Sequence, residues 1–209
     1  NRAVEVALLI AIPSAVALIV TATPVVRVLF ERGAFDLETT QLTAKAVWAY
    51  AMGIPAYVLI KVLSPGFFAR GDTKTPVRIA ILALSTNIIL NLLLMGPMLH
   101  AGLALATAIS AWLNAGLLLI FLTHRGYFVP DKRLANMLPR SLFSATIMML
   151  GVLLLLNLFD SLLSGTTPER ILSLVVVVFV GVIIYSTMAH LTGIIKLGSL
   201  VKLMKGREH

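Results

Sequence analysis

Residues 79–124 form a stretch of 46 positions that contains no Asp, Glu, Lys or Arg. About 20 apolar residues suffice for one helix to cross the hydrocarbon core of a membrane. The stretch is therefore long enough for two crossings, and Gly96-Pro97 lies where a helix is expected to be interrupted. We expect one membrane-spanning helix at about 79–95 and another at about 101–123.

The rest of the chain repeats this pattern. Of its 209 residues 59% are apolar and 12% are charged, whereas soluble domains carry about 25% charged residues. The apolar runs are continuous and do not alternate as in a transmembrane barrel. The fold class predicted is all-α, a polytopic transmembrane bundle of six helices. The other four spans are Val6–Val26, about 39–68, Ser141–Phe159 and Ile171–Ile195.

The basic residues predict how the spans are oriented. Lys and Arg are enriched in cytoplasmic loops of membrane proteins. Both ends of the chain are therefore expected in the cytoplasm. The net charge of +8 is explained by this orientation, so no nucleic-acid partner is predicted. Twelve basic residues share the side of the two ends, namely Arg2, Arg70, Lys74, Arg78, Arg125, Lys132, Arg133, Arg140, Lys196, Lys202, Lys205 and Arg207, and four share the other, namely Arg27, Arg32, Lys45 and Arg170.

Helix starts and two surface segments are also expected. Asp36, Thr75 and Thr167 are predicted N-caps of the second, third and sixth helices, the last two because a proline follows each of them. Residues 126–140 are predicted as a cytoplasmic interfacial linker and 196–209 as an amphipathic cytoplasmic tail, because apolar residues recur on one helical face of each segment. A simple solvated tail remains the alternative for the second segment.

The sequence holds no pattern typical of an enzyme. Cysteine is absent, which excludes thiol nucleophiles and Cys-ligated metal sites. The four histidines are scattered, and nucleotide-binding, hydrolase and zinc-protease motifs are missing. We therefore predict no enzymatic activity, no catalytic residues and no resident metal or cofactor.

Polar and helix-breaking residues inside the spans are the candidate functional positions. Ionisable residues at membrane depth are costly and are functional candidates by default, so Lys61 is the first of them, although snorkelling to the interface would also relieve its cost. A broken second helix beside a cavity is expected, with a static packing kink as the alternative. The predicted hinge or kink residues are Pro13, Gly53, Pro55, Pro65 and Gly66.

Two amides in the third span form a second candidate. Asn87 and Asn91 lie four residues apart and therefore share a helix face, and Thr107 on the next span is a possible partner. This trio predicts either an interhelical hydrogen-bond cluster or an ion or substrate site.

Several motifs together resemble the MurJ (MviN) lipid II flippase family, within the MATE-like exporter superfamily. The resemblance runs over nearly the whole chain. It is carried by Val28-Leu-Phe-Glu-Arg-Gly-Ala-Phe35, Tyr50-Ala-Met-Gly-Ile-Pro55, Lys61-Val-Leu-Ser-Pro-Gly-Phe-Phe-Ala-Arg-Gly-Asp-Thr-Lys-Thr-Pro-Val77, and Asn91 followed by Gly96-Pro97 and His100-Ala-Gly-Leu103.

The resemblance implies an architecture. The chain would be the C-terminal portion of a two-lobe transporter, about helices nine to fourteen, in the bacterial cytoplasmic (inner) membrane. Residues 1–125 would belong to the C-terminal lobe, 141–195 would be two added helices that form a groove for a lipid tail, and the N-terminal part of the same protein would be a partner. The start of the chain at Asn1 fits this expectation.

The resemblance also implies a function. The expected activity is translocation of undecaprenyl-diphosphate-linked peptidoglycan precursor (lipid II) by alternating access, among membrane lipids. Lys61 and Arg70 would meet the anionic headgroup. Some family members bind sodium through an Asn-x-x-x-Asp pair and a threonine, so Asn87, Asn91 and Thr107 are a possible ion site in which Asn91 replaces the acid. Sodium or proton coupling would drive transport.

Two other functions remain open at this stage. A MATE-like relative could export drugs or another polyprenyl-linked glycan. A membrane scaffold without transport activity would use the same polar residues only to hold helices together. The sequence of the N-terminal part would separate these readings, because intramembrane arginines there favour an anionic lipid substrate.

The predicted topology can be tested by cysteine labelling, because the chain has no cysteine of its own. A single cysteine at Ser164 should react with a membrane-impermeant reagent from outside, and one at Ser199 only after the membrane is opened. Labelling of both positions from the same side would contradict the six-span arrangement.

Overall fold

The computed structural model describes residues 1–33, 35–163 and 165–194. The expected tail at 196–209 and the labelling positions Ser164 and Ser199 lie outside these residues. The all-α prediction is confirmed, and five of the described helices are long and apolar enough to cross a membrane. The helices are α1 (Arg2–Phe30), α2 (Leu37–Phe68), α3 (Lys74–His124), α4 (Lys132–Leu158), the short α5 (Asp160–Leu163) and α6 (Thr167–Leu191).

Helix α3 is a hairpin of two spans. Its 51 residues are interrupted at Leu99, where φ is 50° and ψ is −130°. A straight helix of that length would extend about 76 Å at 1.5 Å per residue. Instead the arms 74–98 and 100–124 fold back on each other, and the backbone at Gly102 lies so close to the Leu94 carbonyl that a Cβ atom would clash with it. The six-span prediction is therefore confirmed, with the break two residues beyond Pro97.

The helix starts follow the carboxylates. Asp36 caps α2 as expected, since its carboxylate accepts a 2.8 Å hydrogen bond from the Thr39 N–H. The N-cap of α3 is Thr73 and not Thr75, and Asp72 accepts from the Thr75 N–H at 3.0 Å. For α6 the N-cap is Thr166, one residue earlier than expected, and Glu169 accepts from its N–H at 2.7 Å. At each of these starts a carboxylate accepts from an N–H that has no helical partner.

Helix α4 begins earlier than the predicted fifth span. Residues 132–140, expected as part of an interfacial linker, form its first turns, and no helix boundary lies at 140. Leu134 and Met137 are buried in the core against α1 and α6. The apolar face continues without interruption through Ser141, Ala145 and Met148, which explains why one continuous helix forms.

Helix α1 is the centre of the described structure. It packs along α2 on one side and against α4 and α6 on the other, and α3 packs on α2. The main core cluster joins residues from α1, α2, α3, α4 and α6. Because α1 links the two groups, the positions of α4 and α6 relative to α2 depend on it.

A proline in α1 creates the polar contact at this centre. Pro13 has no N–H, so the carbonyl of Leu9, four residues earlier, has no helical partner. The Tyr185 hydroxyl of α6 donates to that carbonyl at 2.9 Å and lies 3.0 Å from the Ser141 hydroxyl of α4. One tyrosine thereby joins three helices.

The expected break in α2 is wrong. The helix runs from Leu37 to Phe68 through both Pro55 and Pro65. Two side chains bind backbone carbonyls near the prolines, although not the two carbonyls that the prolines leave without a helical partner: the Trp112 indole N–H donates to the Met52 carbonyl at 2.9 Å, and the Ser64 hydroxyl donates to the Ile60 carbonyl at 2.8 Å.

We expect Tyr185→Phe to lower the free energy of unfolding by about 1 kcal/mol, because the Leu9 carbonyl and Ser141 lose their partner. Unfolding in detergent, followed by circular dichroism, measures the change. Tyr127→Phe is the control, since the exposed Tyr127 contributes only its ring to a neighbouring arginine. Equal stability of Tyr185→Phe and the unaltered protein would refute the structural role of this contact.

Candidate functional site

An apolar groove of about 380 Å³ runs between α1, α4 and α6. Glycines allow α4 and α6 to lie close together. A Cβ atom at Gly181 would lie 3.1 Å from Val152, and one at Gly151 would lie 2.6 Å from Ile184, which is too close for an ordinary side chain. The groove is lined by Leu9, Ile10, Pro13, Ser14, Ala17, Thr21, Met148, Val152, Val177, Val178, Gly181, Val182, Tyr185 and Ser186.

The last two helices were expected to form a groove for a lipid tail, and the observed groove differs because a third helix contributes to it. Helix α1 supplies six of its fourteen lining residues. Among them is Pro13, predicted only as a kink. The aliphatic runs of the last two spans carried the sequence signal for the groove, whereas the contribution of α1 had no signal of its own.

The amide pair lies between the two arms of α3. The Asn87 side-chain amide donates to the Ser110 hydroxyl at 3.2 Å and to the Thr107 hydroxyl at 3.4 Å. The Asn91 side-chain amide donates to the side-chain Oδ1 atom of Asn87 at 3.0 Å. The structure therefore brings the three predicted residues together and adds Ser110 from the arm 100–124.

The amide cluster offers few free oxygens to a cation. Within the described residues, the Asn91 Oδ1 atom is buried without a hydrogen-bond partner, while the Asn87 oxygen accepts from Asn91. Hard cations are held by several oxygen ligands, usually with a carboxylate among them. The described residues contain no group of three His, Cys, Asp or Glu that could hold a metal ion.

Lys61 and Arg70 are not brought together. They lie nine residues apart, which is a rise of about 13 Å along a helix. Lys61 is exposed on the surface of α2 and lines neither the groove nor the pocket described below. The Arg70 guanidinium lies 4.4 Å from the Tyr127 ring centre and donates to the Gly66 carbonyl at 2.8 Å.

The loop between α2 and α3, which contains Arg70, is bound to the residue that follows the end of α3. Asp72 forms an ion pair with Arg125, and Arg125 also donates to the Thr75 hydroxyl at 3.0 Å. The hydrogen bonds from Thr75, with a smaller contribution from Arg125, lower the pKa of Asp72 to about 2. Asp72 is therefore ionised at neutral pH and holds this end of the α2–α3 pair together.

A second cavity, of about 540 Å³, was not predicted. We call it the arginine pocket; it lies at the end of α1, α4 and α6 that holds Arg2, and Glu5 is its buried acid. In the sequence, Arg2, Arg133 and Arg140 indicated only the orientation of the helices in the membrane, and no pattern predicted that Glu5 is buried. The lining residues are Arg2, Glu5, Val6, Leu9, Arg133, Asn136, Met137, Arg140, Gly193 and Ile194.

Comparison with known proteins gives consistent matches. The family model described as lipid II flippase MurJ matches residues 1–172. A probable lipid II flippase MurJ from Rhizobium tropici is 36% identical over 212 aligned residues, which cover 100% of this chain and 39% of that protein. The corresponding protein of Rhizobium meliloti (strain 1021) is 37% identical over 90% of this chain and 36% of its own length.

The fold has a match among solved structures. A structure titled lipid II flippase MurJ, inward closed conformation, superposes with a TM-score of 0.73 at 26% identity, and the match covers 91% of this chain and 38% of the other. The chain thus spans about two fifths of the length of the proteins that it resembles.

We expect Asn87→Ala to destabilise the α3 hairpin by about 1 kcal/mol, a usual magnitude for interhelical polar contacts in membranes. The free energy of unfolding, measured with and without sodium, tests this, and sodium should make no difference. Asn114→Ala in the other arm of the hairpin is the control, because no hydrogen bond of that side chain is found among the described residues. Sodium-dependent stabilisation that disappears in Asn91→Ala would contradict the prediction and favour an ion site.

Proposed function

The chain belongs to the lipid II flippase MurJ family, and from this premise we propose that it takes part in moving a lipid-linked peptidoglycan precursor across the bacterial inner membrane. Its relatives are named as flippases, which are transporters and not enzymes. The helices of this chain are those of a multi-pass membrane protein. Because the chain spans about two fifths of its relatives, transport is a property proposed for the whole transporter.

The observation that carries the proposal is the groove between α1, α4 and α6. A polyprenyl chain has to stay in an apolar environment while its headgroup crosses, because hydrocarbon leaves water favourably and re-enters it at a cost. The groove is lined mainly by aliphatic side chains. We assign to it the polyprenyl tail of the substrate.

We assign the route of the headgroup to the side of the bundle that carries Lys61 on α2, away from the groove between α1, α4 and α6. A lysine exposed on a membrane-spanning helix is tolerated where it faces water or protein, and is expensive against lipid. In a water-filled cavity between two lobes, its ammonium would attract the diphosphate. Arg70, at the end of the same helix, would meet headgroups in the cytoplasmic leaflet.

Transport by alternating access completes the proposal, with both ends of the chain in the cytoplasm and the membrane potential or a sodium or proton gradient as the driver. We assign bending during transport to Gly53, Pro55, Pro65 and Gly66 of α2 and to Pro13 of α1. In the amide cluster, Asn87 and Asn91 are assigned to fastening the two arms of α3, since hydrogen bonds account for most of their polar atoms.

We expect Lys61→Met to reduce lipid II translocation by about tenfold or more and Lys61→Arg to retain part of it, because the charge is lost only in the first variant. Translocation is measured with the full-length protein at matched membrane expression. Lys74→Met, an exposed lysine at the start of α3, is the control and should be active. A fully active Lys61→Met protein would mean that the lysine only reaches the membrane interface.

A further inference from the structure

The arginine pocket and the apolar groove are neighbours along α1. Leu9 lines both cavities, and its carbonyl accepts the hydrogen bond from Tyr185. A polar cavity at one end of α1 therefore lies next to an apolar one that follows the same helix towards its middle. A ligand with a charged head and one long apolar chain fits this shape.

The charges in the pocket favour an anion. Three arginines, Arg2, Arg133 and Arg140, face one acid, Glu5, which gives a formal excess of two positive charges. Glu5 is 7% exposed and pairs with Arg133 at 3.2 Å and with Arg2 at 3.9 Å. The acid thereby contacts two guanidinium groups whose side chains remain 74% and 57% exposed.

Arg140 is the arginine left available. Among the described residues it has no ion pair and no hydrogen bond from its side chain. Gly193, where φ is 74°, forms the wall opposite it, and a Cβ atom there would lie 3.9 Å from the Arg140 Nη1 atom. A guanidinium without a protein partner among the described residues, at a cavity next to an apolar groove, is suited to bidentate contact with a phosphate.

We propose that the arginine pocket binds the diphosphate of the polyprenyl-linked substrate in the leaflet where it is loaded, with the polyprenyl chain in the groove. This inference rests on the proposed function and adds a docking site outside the central cavity assigned to Lys61. The excess of two positive charges matches a diphosphate diester, which carries two negative charges. A groove for one chain fits a polyprenyl lipid better than a glycerophospholipid, which has at least two chains.

The test compares binding of two probes, undecaprenyl diphosphate and phosphatidylglycerol, to the full-length protein by native mass spectrometry. Arg140→Gln should weaken binding of undecaprenyl diphosphate by about tenfold, which is the usual effect of losing a charge-assisted contact. Lys132→Gln, next to Arg133 but outside the pocket lining, is the matched control and should bind as the unaltered protein does. Phosphatidylglycerol should bind more weakly and respond little to Arg140→Gln.

Two further variants guard against misfolding. Arg140→Lys keeps the charge and should retain part of the affinity. Glu5→Gln removes the negative charge from the pocket and should tighten binding by about fivefold, an effect that damage to the fold would not produce.

The outcomes separate this inference from the proposed function. Unchanged binding by Arg140→Gln, in a protein that binds undecaprenyl diphosphate and translocates lipid II, overturns the docking site alone. Equal binding of phosphatidylglycerol, with the same loss in Arg140→Gln, would make the pocket a phospholipid site and also overturns it. An unaltered protein that neither binds undecaprenyl diphosphate nor translocates lipid II overturns the proposed function as well.

Discussion

Within a membrane, each backbone carbonyl that loses its helical partner needs another donor, because no water is available in the hydrocarbon. The Leu9 carbonyl freed by Pro13 is the most consequential case in this chain. Tyr185 supplies the donor, and Ser141 holds Tyr185 in turn. Both cavities depend on this contact, since Leu9 lines each of them and Tyr185 lines the groove.

Charged residues secure α1 at both of its ends. Near its start, Glu5 pairs with Arg133 of α4 at 3.2 Å. At its end, Glu31 pairs with Arg170 of α6 at 3.2 Å and with Arg27 of α1 at 3.4 Å. The Arg133 side chain is 57% exposed, whereas those of Arg170 and Glu31 are 24% and 18% exposed, so the pair between α1 and α6 is better shielded from solvent than the pair between α1 and α4.

The two sides of α1 then differ in character. On the side of α4 and α6, the apolar groove suits a lipid chain. On the side of α2 and α3, Lys61 is exposed, the Asn87 amide binds across the α3 hairpin, and Asn91 donates to Asn87 on the same arm. These two environments differ in polarity, and α1 is the element that separates them.

The sequence by itself determined the all-helical class, the six spans and the family, because the cost of charge in hydrocarbon and the chemistry of helix starts act locally along the chain. It also placed Asn87, Asn91 and Thr107 near one another, since helical spacing and a hairpin were sufficient. Only the tertiary structure decided that α2 continues through Pro55 and Pro65 and that residues 132–140 belong to α4. It likewise decided that Tyr185 binds Leu9 and that Arg140 faces a cavity, because each of these outcomes depends on side chains that distant helices bring into contact.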